Sequence, residues 1–290
     1  MKKILIPIDG SLRSEVAVDY AVHLSQEESN LLVGVYIQDL VYEYIPADET
    51  DSYTNKPSPY PIMMPYIFPS EPHMIDYKVV RDEQRNEYKE HFVRKCEDAK
   101  INYKVHSDEG MLSSELIKES SFADLIIVGF DSYYAGIDGK SRISFFKEIL
   151  KNAHCPVLLV PRYFKKAENI ILTYDNTESS LYAMKQFFYL FPVIGKKIKT
   201  QLISVVKSES EIIENESLLE ELSEAHFPNI NIKKLVGETD VEIFRFLKNF
   251  DNPLLVMGAF GRNKLSQLIN PSVGEEILNW GNFPIFVAHK

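Results

Sequence analysis

Two aspartates and two glycines recur at matching places in the two halves of this chain. Asp9 and Asp175 each follow a short apolar run, and Gly129 and Gly258 each end a later apolar run. Because parallel α/β sheets bind ligands at the carboxyl ends of their strands, this pattern predicts a ligand crevice in each half. The alternative is that each aspartate only caps the helix that follows it. Ser272 has no visible histidine or aspartate partner in the sequence, so binding is favoured over nucleophilic catalysis.

The elements that must position these residues form one α/β unit written twice. Each unit opens on an apolar strand, continues through alternating helices and strands, and closes on a proline-led strand, at 157–160 in the first unit and from Ile285 in the second. Continuous apolar runs of this length are typical of strands buried in parallel sheets. Strand–helix alternation predicts doubly wound parallel sheets with right-handed crossovers. We therefore predict two tandem domains, residues 1–162 and 167–290.

Composition limits the classes of function. The net charge of -10 predicts a surface that repels nucleic acid and anionic membranes. No apolar run approaches the roughly 18 residues of a membrane span. The two cysteines, Cys96 and Cys155, and the seven histidines show neither a disulfide framework nor metal-ligand spacing. We therefore expect no nucleic acid, membrane or metal partner, and a location in the reducing cytoplasm.

The first unit is longer than the second because of residues 38–77, which are rich in Pro, Tyr and Met. No helical or strand period is visible there, and loops of this length are usually functional or disordered. Three interpretations remain open. The segment packs over the first crevice or the groove between the units, it is a binding arm for a second subunit, or it is disordered.

A run of acidic residues follows the second strand of the second unit. Within it, Ile212, Leu218, Leu219 and Leu222 would share one helical face. The pattern predicts an amphipathic helix that begins at about residue 209, with these four side chains on its apolar side.

The glycine loop of the second unit carries a specific resemblance. Gly258, two residues, Gly261, nine residues, Pro271 and Ser272 resemble the phosphate loop of the universal stress proteins, in which the pattern is Gly, two residues, Gly, nine residues, Gly, then Ser or Thr. The strand-one aspartate, the run at 123–129 and the first closing strand also resemble this family, so the resemblance covers nearly the whole chain except the insertion. It implies two tandem, doubly wound, five-stranded parallel-sheet domains of the adenine nucleotide alpha-hydrolase-like type.

By position, the resemblance implies a nucleotide site in the second unit. Asp175 would accept hydrogen bonds from the ribose hydroxyls, while Gly261 and Ser272 would offer an amide and a hydroxyl to the phosphates. Glycine lets the backbone approach a phosphate without a Cβ in the way, and a helix N-terminus presents free N–H groups. The implied nucleotide-binding residues are Thr173, Asp175, Val205, Met257, Gly258, Gly261, Ser272 and Val273.

One residue of the second unit departs from the family pattern. Pro271 stands where the family has its third glycine, and proline has no N–H to donate to a phosphate. A lost hydrogen bond to a charged group is worth roughly 1.5–3 kcal/mol. The expected consequence is an affinity about one to two decades lower than an intact loop would give.

The first unit departs further from the pattern. Ser132 stands where the second glycine belongs, and Ile143 stands where the third does. Asp131 and Asp138 would face the charge of a phosphate, which opposes binding. The weaker candidates that the resemblance implies for this unit are Pro7, Asp9, Val35, Gly129 and Ser144.

The sequence therefore favours a cytoplasmic stress-response protein of this type, which binds ATP, with or without Mg²⁺, or another adenine nucleotide as a regulatory ligand, mainly in the second domain. No general base or Walker-type lysine is evident, so we expect slow ATP hydrolysis at most. We expect the two domains to pack as an internal pseudo-dimer through the closing strands at 157–160 and 285–287, with a homodimer left open.

A second interpretation belongs to a different class. Both nucleotide sites would be vestigial, and the chain would be a protein-interaction module that binds an unknown protein partner through the insertion at 38–77. The altered first loop and Pro271 motivate this alternative.

Overall fold

The computed structural model describes residues 1–8, 12–26, 28–38, 77–109, 112–129, 142–227, 230–258 and 283–288. These residues form one ten-stranded sheet with helices on both faces. The strands are β1 Lys2–Pro7, β2 Asn30–Gln38, β3 Asn102–Glu109, β4 Leu125–Gly129, β5 Val157–Val160, β6 Asn169–Thr173, β7 Lys199–Val206, β8 Ile230–Val236, β9 Pro253–Gly258 and β10 Ile285–Ala288. The helices are α1 Leu12–Gln26, α2 Tyr77–Asp98, α3 Leu112–Ser120, α4 Arg142–Asn152, α5 Glu178–Leu190, α6 Pro192–Lys197, α7 Glu216–His226 and α8 Thr239–Leu247.

The strand order is the same in the two halves of the sheet. It is β3-β2-β1-β4-β5-β10-β9-β6-β7-β8, so each half of the sheet contains five parallel strands in the same doubly wound arrangement. The halves meet where β5 and β10 pair antiparallel, with Phe286 opposite Leu158. The predicted α/β fold class is therefore confirmed, and the two closing strands are hydrogen-bonded neighbours as expected.

Alternating side chains divide the core between the two faces of the sheet. Ile4 and Ile6 pack into a hydrophobic cluster on one face, and Leu5 packs into a second cluster on the other. Successive side chains of a strand point to opposite faces, which explains this division. Helices α1, α2, α5 and α7 contribute to the first cluster, and α3, α4 and α8 contribute to the second. Burial on both faces is why these strands read as continuous apolar runs.

The segment between the two halves is held against α1. The hydroxyl of Tyr20 donates a hydrogen bond of 3.0 Å to the carbonyl oxygen of Lys165. The ring of Phe164 packs edge-on against Tyr20, with 4.8 Å between the ring centroids. Burial of Tyr20 raises its phenol pKa to about 12.

One predicted helix boundary is wrong. Helix α7 begins at Glu216, and residues 207–215 form a loop in which Ile212 is 79% exposed. The ammonium group of Lys234, on β8, donates hydrogen bonds to the carbonyl oxygens of Glu209 and Glu211. Because a side chain from another strand binds these carbonyls, a helical hydrogen bond is not needed to satisfy them.

Two further points concern regions that the sequence singled out. Residues 39–76 of the insertion lie outside the described residues, so all three interpretations of it stay predictions. Within the part of the chain that the structure does describe, no helix combines the length and apolar character needed to cross a membrane.

Candidate functional site

A cleft of about 270 Å³ opens at the carboxyl ends of β6 and β7. Its volume is just below the roughly 300–1,000 Å³ typical of small-molecule sites. It lies beside the point where the chain order reverses, between β6 and β9, which is where doubly wound sheets bind ligands. The cleft is lined by Thr173, Tyr174, Asp175, Asn176, Ile203, Ser204, Val205, Val206, Lys207, Glu211, Ile212, Ile213, Glu214, Gly237, Thr239 and Ile243.

Asp175 lies in this cleft with one carboxylate oxygen engaged by the chain. Its Oδ1 accepts hydrogen bonds from the backbone N–H of Thr177 at 3.2 Å and from the Thr177 hydroxyl at 2.6 Å. Thr177, not Asp175, is the N-cap of α5, because its hydroxyl oxygen accepts from the N–H of Ser180. Among the described residues Asp175 Oδ2 has no hydrogen-bond partner, so this oxygen can accept from a ligand.

Thr173 and Val205 line the same cleft. Thr173 is 3% exposed, and its hydroxyl donates to the carbonyl oxygen of Val256 at 3.2 Å, which joins β6 to β9 beside the cleft. Val205 is half-buried on β7. Three of the predicted site residues, Thr173, Asp175 and Val205, are therefore brought together.

Met257 and Gly258, at the end of β9, do not line this cleft. The Met257 side chain is 1% exposed and belongs to the second hydrophobic cluster, on the same face of the sheet as Leu5. A Cβ on Gly258 would lie 2.6 Å from the carbonyl carbon of Ser179, in the first turn of α5. Glycine is thus required here for the close approach of a strand to a helix, and its contact with a nucleotide stays a prediction.

The remaining predicted residues of the second unit, Gly261, Ser272 and Val273, lie outside the described residues, as does Pro271. Their assignment to phosphate therefore stays a prediction. In the first unit, Asp9 also lies outside the described residues.

The other weaker candidates of the first unit occupy strand ends and a helix start. Pro7 ends β1, Gly129 ends β4 and is buried, and Ser144 lies in the first turn of α4. Val35 is 0% exposed and stands opposite Pro7 in the strand register.

Register corrects the placement of Val35. Ile203 stands opposite Thr173 in the second half, just as Val35 stands opposite Pro7 in the first. Val35 therefore corresponds to the fully buried Ile203, and the counterpart of Val205 is Ile37. Residues two apart on a strand share a face, so an apolar pattern alone does not separate these alternatives.

Several residues that line the cleft or adjoin it were not identified from the sequence. Tyr174 and Asn176 flank Asp175, while Glu214 and Asn215 end the loop that follows β7. We call these four residues the asparagine clamp, because Asn176 Oδ1 accepts hydrogen bonds from the Tyr174 hydroxyl at 2.8 Å and from Asn215 Nδ2 at 3.0 Å. Tyr174 and Asn176 directly follow β6, which was the available signal for these two, whereas no sequence signal marked Glu214 and Asn215.

The charge of the described cleft lining is acidic. Asp175, Glu211 and Glu214 contribute carboxylates, and Lys207 is the only basic side chain among the described lining residues. Carboxylates repel a phosphate at short range. This part of the cleft is therefore suited to the uncharged, hydroxyl-bearing part of a ligand, with any phosphates placed elsewhere.

The strand order defines a doubly wound α/β protein with a cleft beside its switch point. The model of the universal stress protein family matches residues 192–289. A universal stress protein of Methanocaldococcus jannaschii is 27% identical over 169 residues, which cover 56% of this chain and 82% of that protein.

A solved structure that aligns over the whole chain shows the same fold. A universal stress protein from Archaeoglobus fulgidus aligns with a TM-score of 0.68 at 17% identity, over 100% of this chain and 96% of that one. A family member from Arabidopsis thaliana, solved with AMP bound, aligns with a TM-score of 0.34 at 15% identity, over 56% of this chain and 93% of that one. AMP binding is a property of the Arabidopsis protein, and this partial likeness does not transfer it. Residues 192–289 thus match the universal stress protein family, and the whole chain shares the fold of a solved protein of that family.

Proposed function

We propose that this chain binds an adenine nucleotide, ATP with or without Mg²⁺ in the first instance, as a regulatory ligand in its second half. The observation that carries the proposal is Asp175, whose Oδ2 has no hydrogen-bond partner among the described residues in a cleft at the switch point. A carboxylate in this position can accept both hydroxyls of a ribose. The match of residues 192–289 to the universal stress protein family supports the choice of an adenine nucleotide over other hydroxyl-bearing ligands.

The chain's residues would divide the ligand between them. Asp175 would orient the ribose, and Val205 would pack against the base. The phosphates are assigned by the family resemblance to Gly261, Ser272 and Val273. An acidic lining around Asp175 supports this division, because it disfavours a reversed orientation with the phosphates inside the described cleft.

The proposed role is a sensor or adaptor in a stress response, with slow hydrolysis at most. The two sheet halves would be domains with bounds near 1–162 and 167–290, packed as a pseudo-dimer through β5 and β10. A cytoplasmic location is part of the same proposal.

Calorimetric titration of the full chain with ATP, with and without Mg²⁺, tests the proposal. We expect a stoichiometry near one. Asp175→Ala should weaken binding about ten- to a hundredfold, as expected for a lost charged hydrogen bond. Asp175→Asn keeps an oxygen for Thr177 and removes the charge, so it separates ligand binding from support of the helix cap.

Asp251→Ala is the matched control. Asp251 is an exposed aspartate that precedes β9, at the opposite end of the strands from the cleft. The Asp251→Ala variant should bind ATP with the same affinity as the unchanged chain. No heat from the unchanged chain at millimolar ATP would refute the proposed function, and equal affinity in Asp175→Ala would refute the site.

A further inference from the structure

The loop at 207–215 forms one wall of the cleft and is held near its start by long-range contacts. Lys234 Nζ donates to the carbonyl oxygen of Glu209 at 2.8 Å and to that of Glu211 at 3.1 Å. The backbone N–H of Lys207 donates to Glu211 Oε2 at 2.9 Å. The first part of the loop is thus held in place without helix or strand.

The asparagine clamp holds the other end of the loop. The Tyr174 hydroxyl lies 3.0 Å from the carbonyl oxygen of Glu214 and can donate to it. Asn176 Nδ2 donates to the Glu214 carboxylate. Both Asn176 and Asn215 adopt positive φ, at 58° and 56°, which asparagine tolerates better than most residues. The turn that carries Asp175 and the loop opposite it are therefore one connected unit.

Two neighbouring isoleucines in this loop have opposite environments. Ile213 is 6% exposed and belongs to the hydrophobic cluster that contains Leu219. Ile212 is 79% exposed and lines the cleft, where Val205 also lies. A single exposed isoleucine is ordinary on a protein surface. This one is different because buried Ile213 and the two sets of hydrogen bonds fix its backbone at the mouth of a ligand cleft.

We propose that Ile212 covers the base of the bound nucleotide, and that the loop at 207–215 is a preformed wall that presents it. The inference rests on the proposed function. Contact with Ile212 would favour ligands that carry a flat apolar base. Burial of an apolar side chain against the ligand raises the affinity for the ligand, and the entropic cost is small when the loop that carries the side chain is already ordered. Lys234 and the asparagine clamp supply that order.

Calorimetric titration of Ile212→Ser with ATP tests the inference. We expect an affinity about five- to tenfold lower than that of the unchanged chain, which is the effect of uncovering one aliphatic side chain's contact area. Ile212→Leu should retain most of the affinity. Leu218→Ser is the matched control, because Leu218 is 63% exposed on α7 and does not line the cleft.

A second measurement separates contact with the base from any effect on the phosphates. In the full chain with ¹³C-labelled isoleucine methyl groups, the Ile212 signal, assigned from its loss in Ile212→Leu, should shift on addition of ATP because of the ring current of adenine. Inorganic triphosphate at the same concentration should leave it in place.

The outcomes distinguish this inference from the function on which it rests. If the unchanged chain takes up no ATP, the proposed function fails and the inference fails with it. If the unchanged chain binds ATP but Ile212→Ser binds equally well, or if triphosphate shifts the Ile212 methyl signal as ATP does, only the inference is overturned.

Discussion

The two halves of the sheet differ at the residue that precedes the strand-end aspartate. In the first half this residue is Ile8, whose backbone N–H donates to Val35 at 2.9 Å and whose side chain is 2% exposed. In the second half it is Tyr174, whose N–H makes the same bond to Ile203 at 2.9 Å. The backbone position is equivalent, but only the tyrosine carries a polar group beyond the strand end.

These two side chains have different surroundings. Ile8 extends over Gly34, so that a Cβ there would lie 2.5 Å from Ile8 Cδ1 and 3.0 Å from the Phe92 ring. The Tyr174 hydroxyl instead lies within hydrogen-bonding distance of Asn176 Oδ1 and of the Glu214 carbonyl oxygen. The same fold thus fills one strand end with hydrocarbon and builds a polar, connected cleft wall at the other. This difference favours ligand binding in the second half.

The largest effect should come from adding a methyl group at a glycine in each half. In Gly258→Ala the new Cβ would meet backbone atoms of Ser179 and Ser180 at 2.6 Å, so α5 must move. We expect a loss of about 3 kcal/mol in the free energy of unfolding, at the upper end of overpacking effects. Gly34→Ala meets the end of the Ile8 side chain, which can rotate, and should cost about 1 kcal/mol.

Urea unfolding of both variants, followed by circular dichroism, measures this difference. If Gly34→Ala proved as destabilising as Gly258→Ala, the strand end of the first half would be as rigid as that of the second, and the contrast between hydrocarbon filling and fixed backbone would be lost.

A smaller effect should follow from removing the centre of the asparagine clamp. Asn176→Ala loses three hydrogen-bonding contacts and places a Cβ-bearing residue with no polar side chain at φ 58°. We expect about 2 kcal/mol of destabilisation, of which roughly 1 kcal/mol is backbone strain. Asn176→Gly loses the same three contacts but avoids the backbone strain of alanine, so its stability should lie between that of Asn176→Ala and the unchanged chain.

Both variants should also weaken ATP binding, because the clamp positions Asp175 and the loop opposite it. Titration of each variant with ATP, at a temperature where each is folded, checks this. Unchanged affinity in Asn176→Gly would show that the clamp contributes to stability but not to the site.

The fold and part of the site could be predicted from the sequence because their signals are local. Buried parallel strands read as apolar runs, and Asp175 could be placed at a strand end because the run before it ends there. The cleft position of Thr173 and Val205 came from the family resemblance.

The cleft wall could not be predicted, because contacts distant in sequence form it. Ile212 and Leu219 are separated by two helical turns, which suggested one continuous helix. Lys234, far along the chain, binds the carbonyls of Glu209 and Glu211 and replaces the helical hydrogen bonds. The period-2 pattern of β2 likewise left Val35 and Ile37 indistinguishable until the register was known.

The smallest effect at neutral pH concerns two thiols in the first half. Burial raises the pKa of both Cys96 and Cys155 to about 12, from an ordinary value of 9.0. Near pH 7 both thiols are protonated in the folded and in the unfolded chain, so they should give the stability no dependence on pH there. The free energy of unfolding should fall as pH rises above about 9, because the unfolded chain ionises first.

A thiol reagent at pH 8 measures both thiols directly. The native chain should react slowly and the urea-unfolded chain rapidly, since the thiolate is the reactive form. Repeating the measurement with ATP sharpens the comparison between the halves. A ligand bound only in the second half lowers the population of the globally unfolded chain, so it should slow thiol reactions that require global unfolding. It should leave unchanged the thiol reactions that require only local opening of the first half. Equal protection of both kinds of reaction would mean that the two halves open as one unit across the β5–β10 pair.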